Sequence, residues 1–227
     1  HAEGTRGKMK LYPVMINIEG KKAVVIGGGS VALRKAKDLL ECGARVTIIA
    51  PEIHDEIAHL ADSHAGRIDV VKRKYSSGDC EGALIVFSAT DDETVNNAVY
   101  AEASSRNILI NAVDDPPNCS FFMPSWFSRN GLIVAVSTSG ISPSMSARIR
   151  RDLERSIPAS VDESLDALKQ ARHIIQEDND FSDLSSEKRG IILKQIVQDE
   201  NLLGDLVNSF KNDTVKNFLL KLKTVLS

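Results

Sequence analysis

The chain has 227 residues, 42% of them apolar and 26% charged, which is typical of a globular protein. A net charge of −3 argues against a nucleic-acid binder, and no apolar run approaches the ~18 residues of a membrane-spanning helix. Three widely spaced cysteines indicate neither a disulfide framework nor a zinc site. We therefore expect a cytoplasmic protein with no nucleic-acid or membrane partner.

The first half of the chain alternates short β-rich runs with helical stretches, after residues 1–8, which resemble a tag or linker remnant. The predicted strands are Val14–Ile18, Ala23–Ile26, Arg45–Ala50, Ile68–Lys72, Ala83–Ser88 and Ile108–Val113. The helices predicted between them are Ser30–Cys42, about Ile53–Ser63 and Asp92–Arg106. Strands separated by single helices indicate right-handed βαβ units, so we predict a doubly wound parallel sheet in an α/β domain over 9–117.

The second half has a different pattern. Ser120–Pro124 and Leu132–Ser137 are predicted strands on either side of the turn Arg129-Asn130-Gly131, and a basic helix follows them. Because these strands are left over between two domains, we predict a dimerisation segment over 118–159. Only helical apolar stripes follow, which predicts a small α-helical domain over 160–227.

A glycine loop, Gly27-Gly28-Gly29-Ser30-Val31-Ala32, connects a predicted strand to a predicted helix. This context favours a dinucleotide site: Gly27 permits the turn, Gly29 admits the pyrophosphate, and Ala32 keeps the helix close to the sheet. The N–H groups of Ser30 and Val31 belong to a helix N-terminus, which attracts anions. The alternatives are a glycine turn without ligand, FAD, or another phosphate ligand.

The nucleotide preference depends on the end of the second strand, where an acidic ribose ligand is usual about 20 residues after the loop. Ala50 occupies that place, followed by Pro51 and Glu52. Glu52 is either a ribose ligand or an ordinary helix N-terminal charge. No arginine follows to bind a 2′-phosphate, so we predict NAD rather than NADP.

Polar residues follow the next two strands, where ligands of parallel sheets bind. Thr90 and Asp91 are expected at the cofactor, although Asp91 or Asp92 also suits a helix N-cap. Asn111 and Asp114 close the following strand. Asp114 is either a general acid or base or part of a turn. The residues around it, taken alone, favour the turn.

A hydroxyl-rich loop containing Thr138 and Ser139 precedes the basic helix. Arg148, Arg151 and Arg155 lie on one face of that helix by their spacing. Guanidinium groups in a row suit a substrate with several carboxylates, and the alternative is a solvated face neutralised by nearby acids.

Several motifs in fixed order over residues 11–155 together resemble the precorrin-2 dehydrogenase family, which includes the N-terminal part of siroheme synthases. The motifs are Val25–Ala36, Ala89–Asp92, Val95-Asn96, Asn111–Asp114, Ser120–Pro124 and Val134–Pro143. The resemblance implies a Rossmann-type fold and a homodimer. It also implies oxidation of precorrin-2 to sirohydrochlorin with NAD, and in some members insertion of ferrous iron. No methyltransferase segment is present, so we do not expect the full trifunctional synthase.

The resemblance also assigns roles to residues. The aspartate matching Asp114 is the family's proposed proton-transfer group, which makes Asp114 the catalytic candidate. We expect Asn111, Thr138, Ser139, Arg148 and Arg151 at the substrate, a tetrapyrrole with eight carboxylates. No resident metal site is expected. A rival hypothesis is an NAD-sensing regulatory module without catalysis, which would need neither Asp114 nor the arginine row.

Overall fold

The computed structural model describes residues 10–226, with side chains described through residue 224. The predicted remnant at 1–8 lies outside this range. The described chain forms two compact units, one over Leu11–Met123 and one from Pro124 onward. The finer domain boundaries at 117 and 159 stay predictions.

The first unit contains a five-stranded parallel sheet of order β3-β2-β1-β4-β5. Its strands are β1 (Lys22–Ile26), β2 (Arg45–Ile49), β3 (Ile68–Val71), β4 (Ile85–Ser88) and β5 (Leu109–Ala112). Its helices are α1 (Ser30–Glu41), α2 (Asp55–Ser63) and α3 (Glu93–Ser105). The predicted doubly wound α/β fold is confirmed.

Apolar clusters cover both faces of this sheet. Val25 of β1 and Phe87 of β4 pack in one cluster with the buried side of α1, whereas Val24 and Val86 pack in the other with Val99 of α3. Strands buried on both faces must be apolar throughout, which explains the unbroken apolar runs in the sequence. This layering brings the loops after β1, β2, β4 and β5 to one edge of the sheet.

Two predicted strands are wrong. Val14–Ile18 forms no strand and pairs with none of the five strands, and Val14, Met15 and Ile16 remain exposed. Ser120–Pro124 is also not a strand, since side chains tie it to β5. The Ile110 N–H donates to Ser120 Oγ at 2.9 Å, and Asn111 Nδ2 donates to the Phe121 carbonyl at 3.0 Å.

The second unit begins with an antiparallel hairpin of β6 (Ser125–Arg129) and β7 (Leu132–Val136). Its turn residues Asn130 and Gly131 have φ of 47° and 82°, as a type I′ turn requires. The predicted turn is confirmed. The strand before it begins at Ser125, five residues later than the predicted start at Ser120.

Helices make up the rest of this unit. They are α4 (Pro143–Ser156), α5 (Ser160–Glu177), α6 (Ser186–Gln198), α7 (Glu200–Lys211) and α8 (Val215–Leu226). Ala171, Ile175, Ile196, Leu206 and Leu219 are fully buried between α5, α6, α7 and α8, which confirms the predicted helical C-terminal region. Among the described residues, no helix is long and apolar enough to cross a membrane.

Candidate functional site

The glycine turn after β1 leaves no room for side chains at two positions. A Cβ on Gly27 would lie 2.1 Å from the Ala89 carbonyl oxygen, and a Cβ on Gly28 would lie 1.9 Å from the Glu52 carbonyl oxygen. Gly27 also has φ of 121°, which favours glycine. A Cβ on Gly29 would meet nothing within 4 Å. The first two glycines thus serve packing of the loops, and the third faces open space.

The N-terminus of α1 is open to an anion. Gly29 is its N-cap, and within the described residues no side chain caps it. The N–H groups of Ser30, Val31 and Ala32 therefore lack intrahelical acceptors and carry the positive end of the helix dipole. A crowded glycine turn followed by an uncapped, exposed helix start fits the pyrophosphate of a dinucleotide.

The loop after β2 packs directly on this turn. Ala50 is buried, and its Cβ would be 3.0 Å from a Cβ on Gly28, while the His54 N–H donates to the Gly28 carbonyl at 2.7 Å. The side chains of Pro51 and Glu52 are exposed at the same edge. Only Glu52 therefore offers a carboxylate on this loop near the glycine turn.

The loop after β4 contains polar side chains that cap α3 and others that remain available to a ligand. Asp92 caps α3 by accepting from the N–H groups of Thr94 and Val95, so the capping alternative describes Asp92. Asp91 is exposed. Thr90 Oγ1 accepts from the Asp92 N–H at 3.1 Å, which leaves its hydroxyl hydrogen available.

The sequence pattern does not reveal the residues that support Thr90 from below. Buried Ser88 donates its hydroxyl to Asn96 Oδ1 at 2.6 Å, and Asn96 Nδ2 donates to the Thr90 carbonyl at 2.9 Å. A serine at a strand end followed by asparagine one helical turn into α3 was the available signal. Gly28 was likewise not assigned a role, because its crowding by Glu52 is a long-range contact.

Asp114 lies just beyond β5 with an exposed side chain and φ of 60°. This left-handed conformation is uncommon outside glycine and is tolerated best by Asp and Asn. No described residue donates a hydrogen bond to its carboxylate. The Val113 N–H donates to the Ser88 carbonyl at 2.9 Å, so Asp114 stands at the same edge as the Thr90 loop.

Cys119 and Asn118 hold the loop that carries Asp114. The Cys119 thiol donates to the carbonyls of Ala112 and Asp115, at 3.1 and 3.3 Å, and Asn118 Nδ2 donates to Asp115 Oδ2 at 2.6 Å. Burial raises the pKa of the Cys119 thiol, so it remains a hydrogen-bond donor. Asn111, which is predicted at the substrate, donates from its side-chain amide to the Phe121 carbonyl at 3.0 Å, and its contact with the substrate stays a prediction.

The remaining predicted residues lie in the second unit. Thr138 Oγ1 accepts from the Ser142 N–H at 3.0 Å and lies 3.1 Å from Ser146 Oγ, so its hydroxyl shapes the turn into α4. Ser139 has φ of 53° and its N–H donates to Ser137 Oγ. Both hydroxyls are only half-buried.

The arginine row of α4 is exposed and partly neutralised. Arg148 and Arg155 both pair with Asp152, at 3.8 and 3.3 Å. Arg151 is exposed, and its guanidinium has no ion pair among the described residues. The described part of the chain brings together no group of three His, Cys, Asp or Glu side chains that could hold a metal ion.

Residues 14–125 match the family described as putative NAD(P)-binding. The match covers the glycine turn, the sheet and the Asp114 loop, so the predicted dinucleotide domain is confirmed. A dinucleotide fits the crowded glycines and the uncapped start of α1, and the predicted cofactor, NAD, belongs to this class.

Similar curated proteins extend the comparison beyond this domain. A siroheme synthase of Pseudomonas aeruginosa (strain LESB58) is 38% identical over 169 residues, 74% of this chain and 36% of that protein. One from Ectopseudomonas mendocina is 42% identical over 152 residues, 67% of this chain and 32% of that protein. The chain thus spans about a third of the length of these relatives.

One solved structure is similar across both units. "SirC, precorrin-2 dehydrogenase" superposes with a TM-score of 0.73 at 27% identity, covering 94% of this chain and 100% of that one. The resemblance inferred from the motifs is confirmed. The chain is thus similar to a precorrin-2 dehydrogenase over both units and to about a third of the siroheme synthases, and residues 14–125 match the NAD(P)-binding family.

Proposed function

We propose that this chain is an NAD-dependent precorrin-2 dehydrogenase that forms sirohydrochlorin in siroheme biosynthesis. The observation that carries the proposal is Asp114, an exposed carboxylate without a partner among the described residues, at the sheet edge that holds the glycine turn. The similarity to SirC over all of that chain supports the same reaction. A regulatory module would have no use for such a carboxylate.

The dinucleotide is proposed to lie across the sheet edge. Gly29, Ser30 and Val31 would hold the pyrophosphate through backbone N–H groups. Pro51 and Glu52 would border the ribose, and Thr90 and Asp91 the remainder of the cofactor. When bound, NAD supplies a hydride acceptor. Residues 50–52, which follow β2, include no cation that could bind the 2′-phosphate of NADP, and this favours NAD.

Asp114 is proposed to move the proton. Oxidation of precorrin-2 removes a hydride, which carries both electrons and which bound NAD would accept, and a proton, which a carboxylate can accept. The hydrogen bonds of Cys119 to the carbonyls of Ala112 and Asp115 restrict the Asp114 loop, and thus the direction of its carboxylate.

The second unit is proposed to contribute substrate contacts. Arg151 has no ion pair among the residues that the structure describes, and Arg148 is only weakly held by Asp152 at 3.8 Å, so both can turn to a carboxylate of precorrin-2. Thr138 and Ser139 offer hydroxyls, and Asn111 supports the site through Phe121.

We also infer a homodimer through α4. Met145, Ile149 and Leu153 lie on one helical face and are 38–46% exposed, and Ser146 is the only residue of α4 that is buried. A helix with an exposed apolar stripe favours a partner surface. Three free thiols and a biosynthetic role favour the cytoplasm.

Insertion of ferrous iron into sirohydrochlorin is a second proposed activity, with the ion as substrate. Metal insertion releases two pyrrole protons, which Asp114 could accept in turn. Cobalt or ferrous ion added to sirohydrochlorin without NAD tests it. Insertion no faster than the uncatalysed rate would restrict the protein to dehydrogenation.

The dehydrogenase proposal is tested by anaerobic turnover of precorrin-2 with NAD or NADP, followed by absorbance of the reduced nucleotide. We expect turnover with NAD and a much lower kcat/KM with NADP. Binding of NAD without any turnover would instead support the sensing module.

A further inference from the structure

Lys35 is a buried ammonium group that the fold does not neutralise. It lies on the inward side of α1 and is only 9% exposed. No acceptor lies within hydrogen-bond or ion-pair distance of its Nζ among the described residues. Its nearest stabilising contact is the ring of Phe87, 5.2 Å from Nζ to the centroid.

This arrangement is unfavourable in the ligand-free protein. Burial lowers the pKa of Lys35, with Asp38 opposing that effect and Arg34 adding to it. Asp38 lies one turn along the same helix and forms no ion pair with Lys35 within 4 Å among the described residues. A cation–π contact offsets only part of the loss of water around an ammonium group.

The surroundings of Lys35 indicate where a missing anion would lie. Phe87 is the penultimate residue of β4 and packs edge-to-face against Phe121, with centroids 5.5 Å apart. Asn111 is the register partner of Phe87 on β5 and holds the Phe121 carbonyl. Nζ is therefore placed near the carboxyl ends of β4 and β5, the strands whose loops carry Thr90 and Asp114.

We propose that the Lys35 ammonium binds a carboxylate of the tetrapyrrole substrate beside the half-buried Phe121 ring. The inference rests on the proposed function and adds a binding residue to it. The cofactor pyrophosphate is the other available anion, but its donors are the N–H groups of residues 29–31, more than one helical turn before Lys35. Phe87 is buried and can only hold the ammonium group in place, whereas the half-buried Phe121 can border an apolar macrocycle with acidic side chains.

Lys35→Met is the test variant, because it keeps the apolar stem and removes the charge. We expect the KM for precorrin-2 and the Kd for sirohydrochlorin to rise roughly ten- to hundredfold, as for a lost hydrogen bond to a charged group. The Kd for NAD should not change. The melting temperature without ligands should rise, because an unpaired buried charge is replaced by an apolar group.

Lys37→Met is the matched control on the same helix. Lys37 is half exposed and pairs with Glu56 at 2.9 Å, so its loss should leave KM and both dissociation constants unchanged. Lys35→Gln is a second variant of similar length, and its tetrapyrrole binding should weaken as well. The KM for precorrin-2 and the Kd for sirohydrochlorin are both measured on the whole protein.

Two results would overturn the inference. Unchanged tetrapyrrole binding with a lower melting temperature would make Lys35 a structural residue, and weaker NAD binding with unchanged KM for precorrin-2 would assign it to the cofactor. These results differ from failure of the proposed function, in which the unsubstituted protein itself would neither oxidise precorrin-2 nor bind sirohydrochlorin.

Discussion

At the scale of single residues, the account depends on Asp114. Its backbone is left-handed with φ of 60°, and its carboxylate is exposed rather than used in capping or ion pairing. The neighbouring acidic residues differ, because Asp115 is bound by Asn118 and Asp92 caps α3. Proximity in sequence therefore does not make these carboxylates equivalent.

Asp114→Asn isolates the proton-transfer role, since asparagine tolerates the same φ and has the same shape. We expect kcat to fall about 10²- to 10⁴-fold, the range for a lost general acid or base, while the Kd for NAD stays the same. Steady-state kinetics and NAD titration measure the two quantities. Retention of full kcat would remove Asp114 from the mechanism.

At the scale of elements, local sequence predicts where the glycine turn and the loop before β4 occur, whereas long-range packing fixes their conformation. The glycine pattern predicts a turn, but only the fold places the Glu52 carbonyl 1.9 Å from a Cβ on Gly28. Similarly, Glu102 of α3 accepts hydrogen bonds from the Tyr75 hydroxyl and the N–H groups of Gly78 and Cys80. It thereby fixes that loop.

Gly28→Ala should disrupt the turn, because a backbone carbonyl cannot move aside as a flexible side chain can. We expect a lower melting temperature and loss of NAD binding. Gly29→Ala is the control for folding: its Cβ enters open space, and its φ of −83° suits alanine, so the melting temperature should be kept. Equal stability and NAD affinity in Gly28→Ala would contradict the packing described.

Glu102→Ala should release the loop before β4, because it leaves buried N–H groups without acceptors. We expect the free energy of unfolding to fall by about 2 kcal/mol or more. Cys80 reports the opening directly: burial raises the pKa of its thiol to about 12, which suppresses alkylation in the intact fold. Mass spectrometry should show faster alkylation of Cys80 in the variant, with exposed Cys42 as internal standard. An unchanged Cys80 rate would refute this role.

At the scale of the whole molecule, the sequence predicts the α/β fold well because its buried strands are continuous apolar runs between amphipathic helices. It fails at Val14–Ile18, an equally β-rich run that pairs with no strand of the sheet. It also fails at Ser120–Pro124, which side chains fasten to β5. Which strands pair with each other depends on the assembled sheet, so a local sequence pattern does not predict it.

The candidate site was predictable to a similar degree. Glycine spacing and strand ends select Gly27, Gly29, Thr90 and Asp114 as candidates, each on its own position in the chain, and their roles stay predictions. The supporting Ser88–Asn96 pair and the Cys119 thiol act through contacts between separate elements. Whether Arg148 and Arg151 reach the substrate stays a prediction.

The inferred dimer is also testable at this scale. Ile149→Glu places a charge in the apolar stripe of α4 and should shift sedimentation from dimer to monomer, without loss of helical circular dichroism. Ile191→Glu, at a 46% exposed position of α6, is the control and should leave the dimer intact. A monomeric unsubstituted protein, or a dimer unaffected by Ile149→Glu, would contradict the assignment.

We propose that this chain couples tetrapyrrole oxidation to reduction of a dinucleotide bound at the glycine turn. The most direct test is an anaerobic reaction in which NADH and sirohydrochlorin are quantified together from their absorbance spectra. We predict one NADH for each sirohydrochlorin formed. Sirohydrochlorin formed without NADH, or no product from protein that binds NAD, would contradict the account.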